Sequence, residues 1–110
     1  MKAILIRVSG SLEQIEVEHD NLASFINADV PERVRVGVDR ALVVDDTGVR
    51  KGLPVNRRAS ILYGTPEHGQ PILGDALYLG EEMTPEGVDF VGIPYPLSEI
   101  ADLDRLFGDL

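Results

Sequence analysis

The sequence predicts an α+β fold in which a curved, mostly antiparallel sheet of five or six strands carries short helices packed against it. Apolar residues alternate with polar ones over 3–8, 12–18 and 33–39, the period of a half-buried strand. Helical spacing is confined to three short stretches near 21–28, 57–63 and 98–107. The strands follow one another too closely for a parallel sheet, in which each crossover takes about a dozen connecting residues or more. The 110 residues, 1–110, fit a single domain with room for one core. With three Phe, three Tyr and no Trp, that core is expected to be aliphatic.

Residues 3–8 (AILIRV) place Ile4, Ile6 and Val8 on one strand face. Ser9-Gly10-Ser11 is turn chemistry, and residues 12–18 return with Ile15 and Val17 inward, which makes a β-hairpin. Asp20 or Asn21 can cap a short helix through about Ala28, stopped by Pro31. Residues 33–39 (RVRVGVD) put Val34, Val36 and Val38 toward the core with Ile4, Ile6, Leu62 and Leu77, and leave Arg33 and Arg35 opposite. Residues 41–44 form a further strand that Asp45-Asp46-Thr47-Gly48 turns. After Pro54, Asn56 is an N-cap for a helix over 57–63, with Gly64 as its left-handed C-terminal residue and Thr65 to Gln70 as a loop. Residues 71–79 are expected as a strand interrupted by Gly74, 81–87 as a solvated turn rich in glutamate, and 88–93 as the last strand. Ser98 is expected to cap a final helix whose Ile100, Leu103 and Phe107 share a stripe ending near Gly108.

Composition narrows the function classes. There is no cysteine, so disulfides, thiolate catalysis and cysteine-ligated metals are out. His19 and His68 have no histidine neighbour at ligand spacing, and neither a metal nor a cofactor is expected. The opening MKAILIRVSG does not read as a signal peptide, and no apolar run is long enough to span a membrane, so the expected location is the cytoplasm. A net charge of −9 opposes direct nucleic-acid binding. The charge is uneven: Arg33, Arg35, Arg40, Arg50, Lys51, Arg57 and Arg58 fall within 30–60, whereas Arg105 is the one basic residue of the acidic stretch 81–110.

The densest concentration of unusual features is 51–80, KGLPVNRRASILYGTPEHGQPILGDALYLG. Lys51, Asn56, Arg57 and Arg58 gather at a helix start, where the partial positive charge of the helix already disfavours cations. Basic residues there make sense if an anion sits among them, with Tyr63 and Asp75 bordering the pocket. The competing reading is that these cations pair with Asp45, Asp46 or Asp75 of the same chain. Neither a Walker loop nor a dinucleotide fingerprint is present. KGLPVNRRAS, LYG and PILGDALYLG, together with the MKAILI start and ALVVDDTG, resemble the signature of a small family classed as a domain of unknown function. Its members occur in actinobacterial genomes, bacteriophages and plasmids, and the resemblance covers most of residues 1–93. It implies a mobile-element setting and no catalytic assignment.

Three functions remain open on the sequence. The first is a non-enzymatic module binding a small anionic ligand or a host protein at 51–60. The second is an acidic interaction module that mimics nucleic-acid charge toward a host protein. The third is an enzyme using Asp75 with Asn56 and Arg57. The sequence leans away from the third and leaves the oligomeric state open.

Overall fold

A computed structural model describes residues 1–65 and 69–108. Its strands are β1 (Lys2–Ile6), β2 (Leu12–Glu16), β3 (Pro31–Val36), β4 (Arg40–Asp45), β5 (Ala76–Thr84) and β6 (Gly87–Val91), and its helices are α1 (Leu22–Phe25), α2 (Arg57–Tyr63) and α3 (Pro96–Phe107). All pairings are antiparallel, in the order β2-β1-β5-β4-β3, with β6 also paired to β5. The expected α+β class and antiparallel sheet are therefore present.

Two local hairpins, β1–β2 and β3–β4, flank a strand that arrives late in the chain. Residues Ala76 to Leu79 of β5 lie between β1 and β4 and are all buried. A strand covered on both faces reads as a continuous apolar run, and the same holds for Ala3 to Ile6 of β1. Beyond Gly80, β5 continues to Thr84 against β6. Gly80 permits that close approach, since a Cβ there would meet Val91 Cγ2 and the Val91 carbonyl oxygen at 2.9 Å.

The sheet has two unequal covers. On one face α2 and α3 close a core that includes Ile4, Ile6, Leu42, Tyr78, Leu103 and Phe107. On the other, Leu5, Val43, Leu77 and Leu79 pack with Val17 and with Leu22 and Ile26 around the single turn of α1. One turn of helix cannot cover a six-stranded sheet, so part of this second face stays open.

Several local expectations are corrected. Residues 71–75 are not strand; the ladder starts at Ala76, with only an isolated bridge between Val55 and Leu73 before it. Residues Glu81 to Thr84 are strand rather than turn, because β6 offers them a partner. Val38 is 91% exposed, since Gly37, at φ 70°, begins the β3–β4 turn and ends the alternation. Leu77 packs on the face opposite Ile4 and Ile6. Helix α1 stops at Phe25, short of Ala28, and Pro31 opens β3. Asn21 Oδ1 accepts from the Glu18 N–H, 2.8 Å, instead of capping α1. Ser98 falls inside α3, which starts at Pro96, where a missing N–H costs nothing. His68 lies outside the described residues.

Candidate functional site

The 51–60 segment is built around Asn56. Its Oδ1 accepts from the Ala59 N–H, 3.0 Å, which caps α2 as expected. Its Nδ2 donates to the carbonyls of Ile6, 2.9 Å, and Gly74, 3.0 Å, and its own N–H donates to the Ile72 carbonyl, 2.8 Å. The side chain is fully buried and ties the end of β1, the start of α2 and the approach to β5 into one joint. Asp75 completes it from outside, accepting from the Val8 N–H at 2.9 Å and lying 3.9 Å from Arg7 Nη1.

The cations of the segment disperse. Lys51 Nζ donates to Asp45 Oδ2, 2.7 Å, and to the Asn27 carbonyl, 2.9 Å, with Asp29 at 3.7 Å. Arg58 donates to Asp104, 3.0 Å, and lays its guanidinium over Phe107, 5.0 Å from the ring centre, which docks α3 onto α2. Arg57 is exposed and has no ion pair among the described residues. Tyr63 lines a small cleft of about 130 Å³ with Glu32, Asp46 and Gln70, a cleft that none of the other five residues lines. Asn56 and Asp75 thus meet around Gly74, while Lys51, Arg58 and Tyr63 serve three separate places.

A different pair of arginines does converge. In register, Arg33 faces Val43 and Leu77, Arg35 faces Ala41 and Leu79, and Glu81 follows Leu79 by two residues, so all three side chains share the second sheet face. Both arginines reach across β4 to the one carboxylate: Arg33 Nη1 donates to Glu81 Oε2, and Arg35 Nε donates to Oε1 at 2.9 Å. The Glu81 side chain is 1% exposed, whereas those of Arg33 and Arg35 are 42% and 56% exposed. One buried negative charge therefore holds two half-exposed positive ones, and Glu81 is the one acidic side chain within ion-pair reach of either among the described residues. Sequence reading placed Glu81 in a solvated turn. The signal available was the alternation Leu77, Leu79, Glu81 continuing in phase with RVRV.

Two buried carboxylates have displaced acidities. Burial alone would raise Glu81, but hydrogen bonds from Arg35 and Arg33 outweigh it and hold it below the usual glutamate value. Burial opposes ionisation of Asp45 as well; Lys51 and the Thr47 hydroxyl and N–H, at 2.6 and 2.9 Å, overcome it and hold it well below the usual aspartate value. Glu32 moves the other way, raised by a hydrogen bond with the Asp46 carboxyl. A carboxylate whose folded value is lowered contributes stability that is complete above its unfolded value. That contribution is lost as pH falls through the folded value. Stability should therefore decline below about pH 4, where free carboxylates begin to protonate. Asp45→Asn should make that acid limb shallower in urea titrations followed by circular dichroism. An unchanged limb would show that Asp45 does not drive it.

With the geometry in view, comparison with known proteins adds one result. A family model described as a domain of unknown function, DUF3846, matches residues 1–103. The chain belongs to that family. No curated protein and no solved structure matches it. The DUF3846 match takes in every strand and most of α3, and so extends past the residue-93 limit of the resemblance seen in the sequence. Among the described residues of this DUF3846 chain, no group of three or more His, Asp or Glu side chains could hold a metal ion, and no helix is long and apolar enough to cross a membrane.

Proposed function

We propose that this DUF3846 chain is a non-enzymatic binding module that takes an oxyanion on the open part of its second sheet face, at Arg33 and Arg35. The observation that carries the reading is Glu81. A buried carboxylate needs one counter-charge, and it holds two, each fixed through one nitrogen while the rest of the guanidinium stays at the surface. A planar donor held in place by a third group binds a carboxylate or phosphate without first losing rotamer freedom. A shallow recess lined by Arg33, Arg35, Met83 and Val88 lies beside it.

The other two readings have less support. Glu99, Asp102 and Asp104 of α3 are each paired with an arginine, so the regular row of free carboxylates that charge mimicry needs is reduced. Asn56 is sealed from solvent and its side-chain hydrogen-bonding groups are engaged, which leaves Asp75 without that partner for catalysis. Placing the anion at Arg33 and Arg35 moves the site away from 51–60, where Lys51 and Arg58 already have carboxylate partners. A mobile-element setting is compatible with a small ligand-binding protein and rests on the family resemblance alone.

The test is a titration at low salt with inorganic phosphate and acetate, followed through the Nε–H resonances of Arg33 and Arg35. A saturable shift that weakens with salt and is lost in Arg35→Gln is expected, since that variant leaves Arg33 on Glu81. Absence of any saturable response into the millimolar range would remove the reading.

A further inference from the structure

Arg33 belongs to two hollows at once. Besides the recess beside Met83, it lines a hollow of about 330 Å³ on the same sheet face. Val43, Leu22 and Ala23 of α1, Pro31 of β3 and Phe90 of β6 line it as well. Phe90 sits directly opposite Glu81 in the β5–β6 register, so it shares the face of the arginine pair. His19 straps the hollow to β6, its Nε2 lying 3.1 Å from the Phe90 carbonyl and 3.2 Å from Asp89. The volume falls at the small end of ligand sites, which run from about 300 Å³ upward.

The groups around this hollow state what fits it. Phe90 and His19 offer ring surfaces, and Arg33 offers a guanidinium that stacks on a ring, so a flat aromatic body gains more here than an alkyl chain of equal area. Asp20 also lines the hollow, and its charge opposes a ligand carrying more than one anionic group. Resting on the oxyanion reading above, we infer that the ligand is an aromatic monoanionic-group compound, its ring in the hollow beside Phe90 and its one phosphate or carboxylate on Arg33 and Arg35. Nucleoside monophosphates and aryl carboxylates share this chemistry.

The experiment is a set of parallel nuclear magnetic resonance titrations of the intact chain with adenosine monophosphate, naphthoate, adenosine, inorganic phosphate and adenosine triphosphate. At least one of adenosine monophosphate and naphthoate should perturb both the arginine Nε–H signals and the amides of Leu22, Ala23 and Phe90, and should bind about tenfold more tightly than phosphate. Which of the two does so identifies the source of the ring. Ala23→Leu, which fills the hollow without touching the arginines, should remove that gain and leave phosphate binding unchanged; its amide spectrum reports whether the fold is intact. Aromatic anions that bind no better than phosphate would overturn the inference and leave the oxyanion reading standing. Adenosine binding as well as its monophosphate would overturn the oxyanion reading itself. Tighter binding of the triphosphate than the monophosphate would overturn the single-anion restriction.

Discussion

Replacing Arg33 and Arg35 together by Met should destabilise the protein by about 3–5 kcal/mol, the cost of stranding a buried charge without its partner. Glu81 is the reason: its side chain is 1% exposed, and among the described residues no cation other than these two arginines reaches it. The carboxyl can escape the penalty only by holding a proton, so its folded value should rise above the unfolded one. A raised carboxyl contributes stability present below its unfolded value and lost as pH rises through the folded one. The double variant should therefore gain stability on mild acidification, in a range above about pH 4 where the parent keeps its own. Adding Glu81→Leu should restore most of the loss, because an apolar side chain of similar volume needs no counter-charge. Urea denaturation midpoints at constant slope measure all three. A double variant within about 1 kcal/mol of the parent would mean that the trio behaves as an ordinary surface ion pair.

Asn56→Ala is the second large effect, expected at about 2.5 kcal/mol or more. It combines the loss of a helix cap, about 0.5–2 kcal/mol, with the carbonyls of Ile6 and Gly74 left without their donor, about 1–3 kcal/mol each when buried. Asn56→Asp separates the two roles. Aspartate caps helices as well as asparagine does, so a residue that only capped α2 would tolerate the exchange. Here aspartate would keep the bond from Ala59 but lose both Nδ2 donors and bring an ionised group into a fully buried position. Asn56→Asp should be at least as damaging as Asn56→Ala. A midpoint equal to the parent's would reduce Asn56 to a cap alone.

Legibility in the sequence followed the range of the forces involved. Asn56 and Gly64 bound α2 through contacts three or four residues away, and Gly64 takes the left-handed conformation, φ 83°, that ends a helix. Such signals survive without tertiary knowledge. The hairpin at Ser9–Ser11 was readable for the same reason, whereas the turn at Gly37 was not: the valine alternation carried the expected strand through it to residue 39. The family resemblance was carried by the 51–80 stretch because much of that stretch is a joint. The Asn56 side-chain amide holds the Gly74 carbonyl and its N–H the Ile72 carbonyl, and Gly74, at φ 81°, takes a conformation that favours glycine.

The sequence alone thus determined the α+β class, the first antiparallel hairpin and the capped second helix, all set by period and turn chemistry within a few residues. Only the tertiary structure decided where the charges went. Convergence of Lys51 and Arg58 on one anion and pairing with the chain's own carboxylates both stayed open on the sequence, and in the fold one turns to Asp45 and the other to Asp104 on α3. Glu81 looked like one more solvated glutamate until β5 was inserted between the two hairpins, which brought it to arginines 48 and 46 residues earlier. An ion pair between residues 46 or 48 apart acts over a few ångströms of space, and sequence spacing does not name the partner. The sheet order that creates that proximity is fixed by burying the run Ala76 to Leu79 on both faces at once.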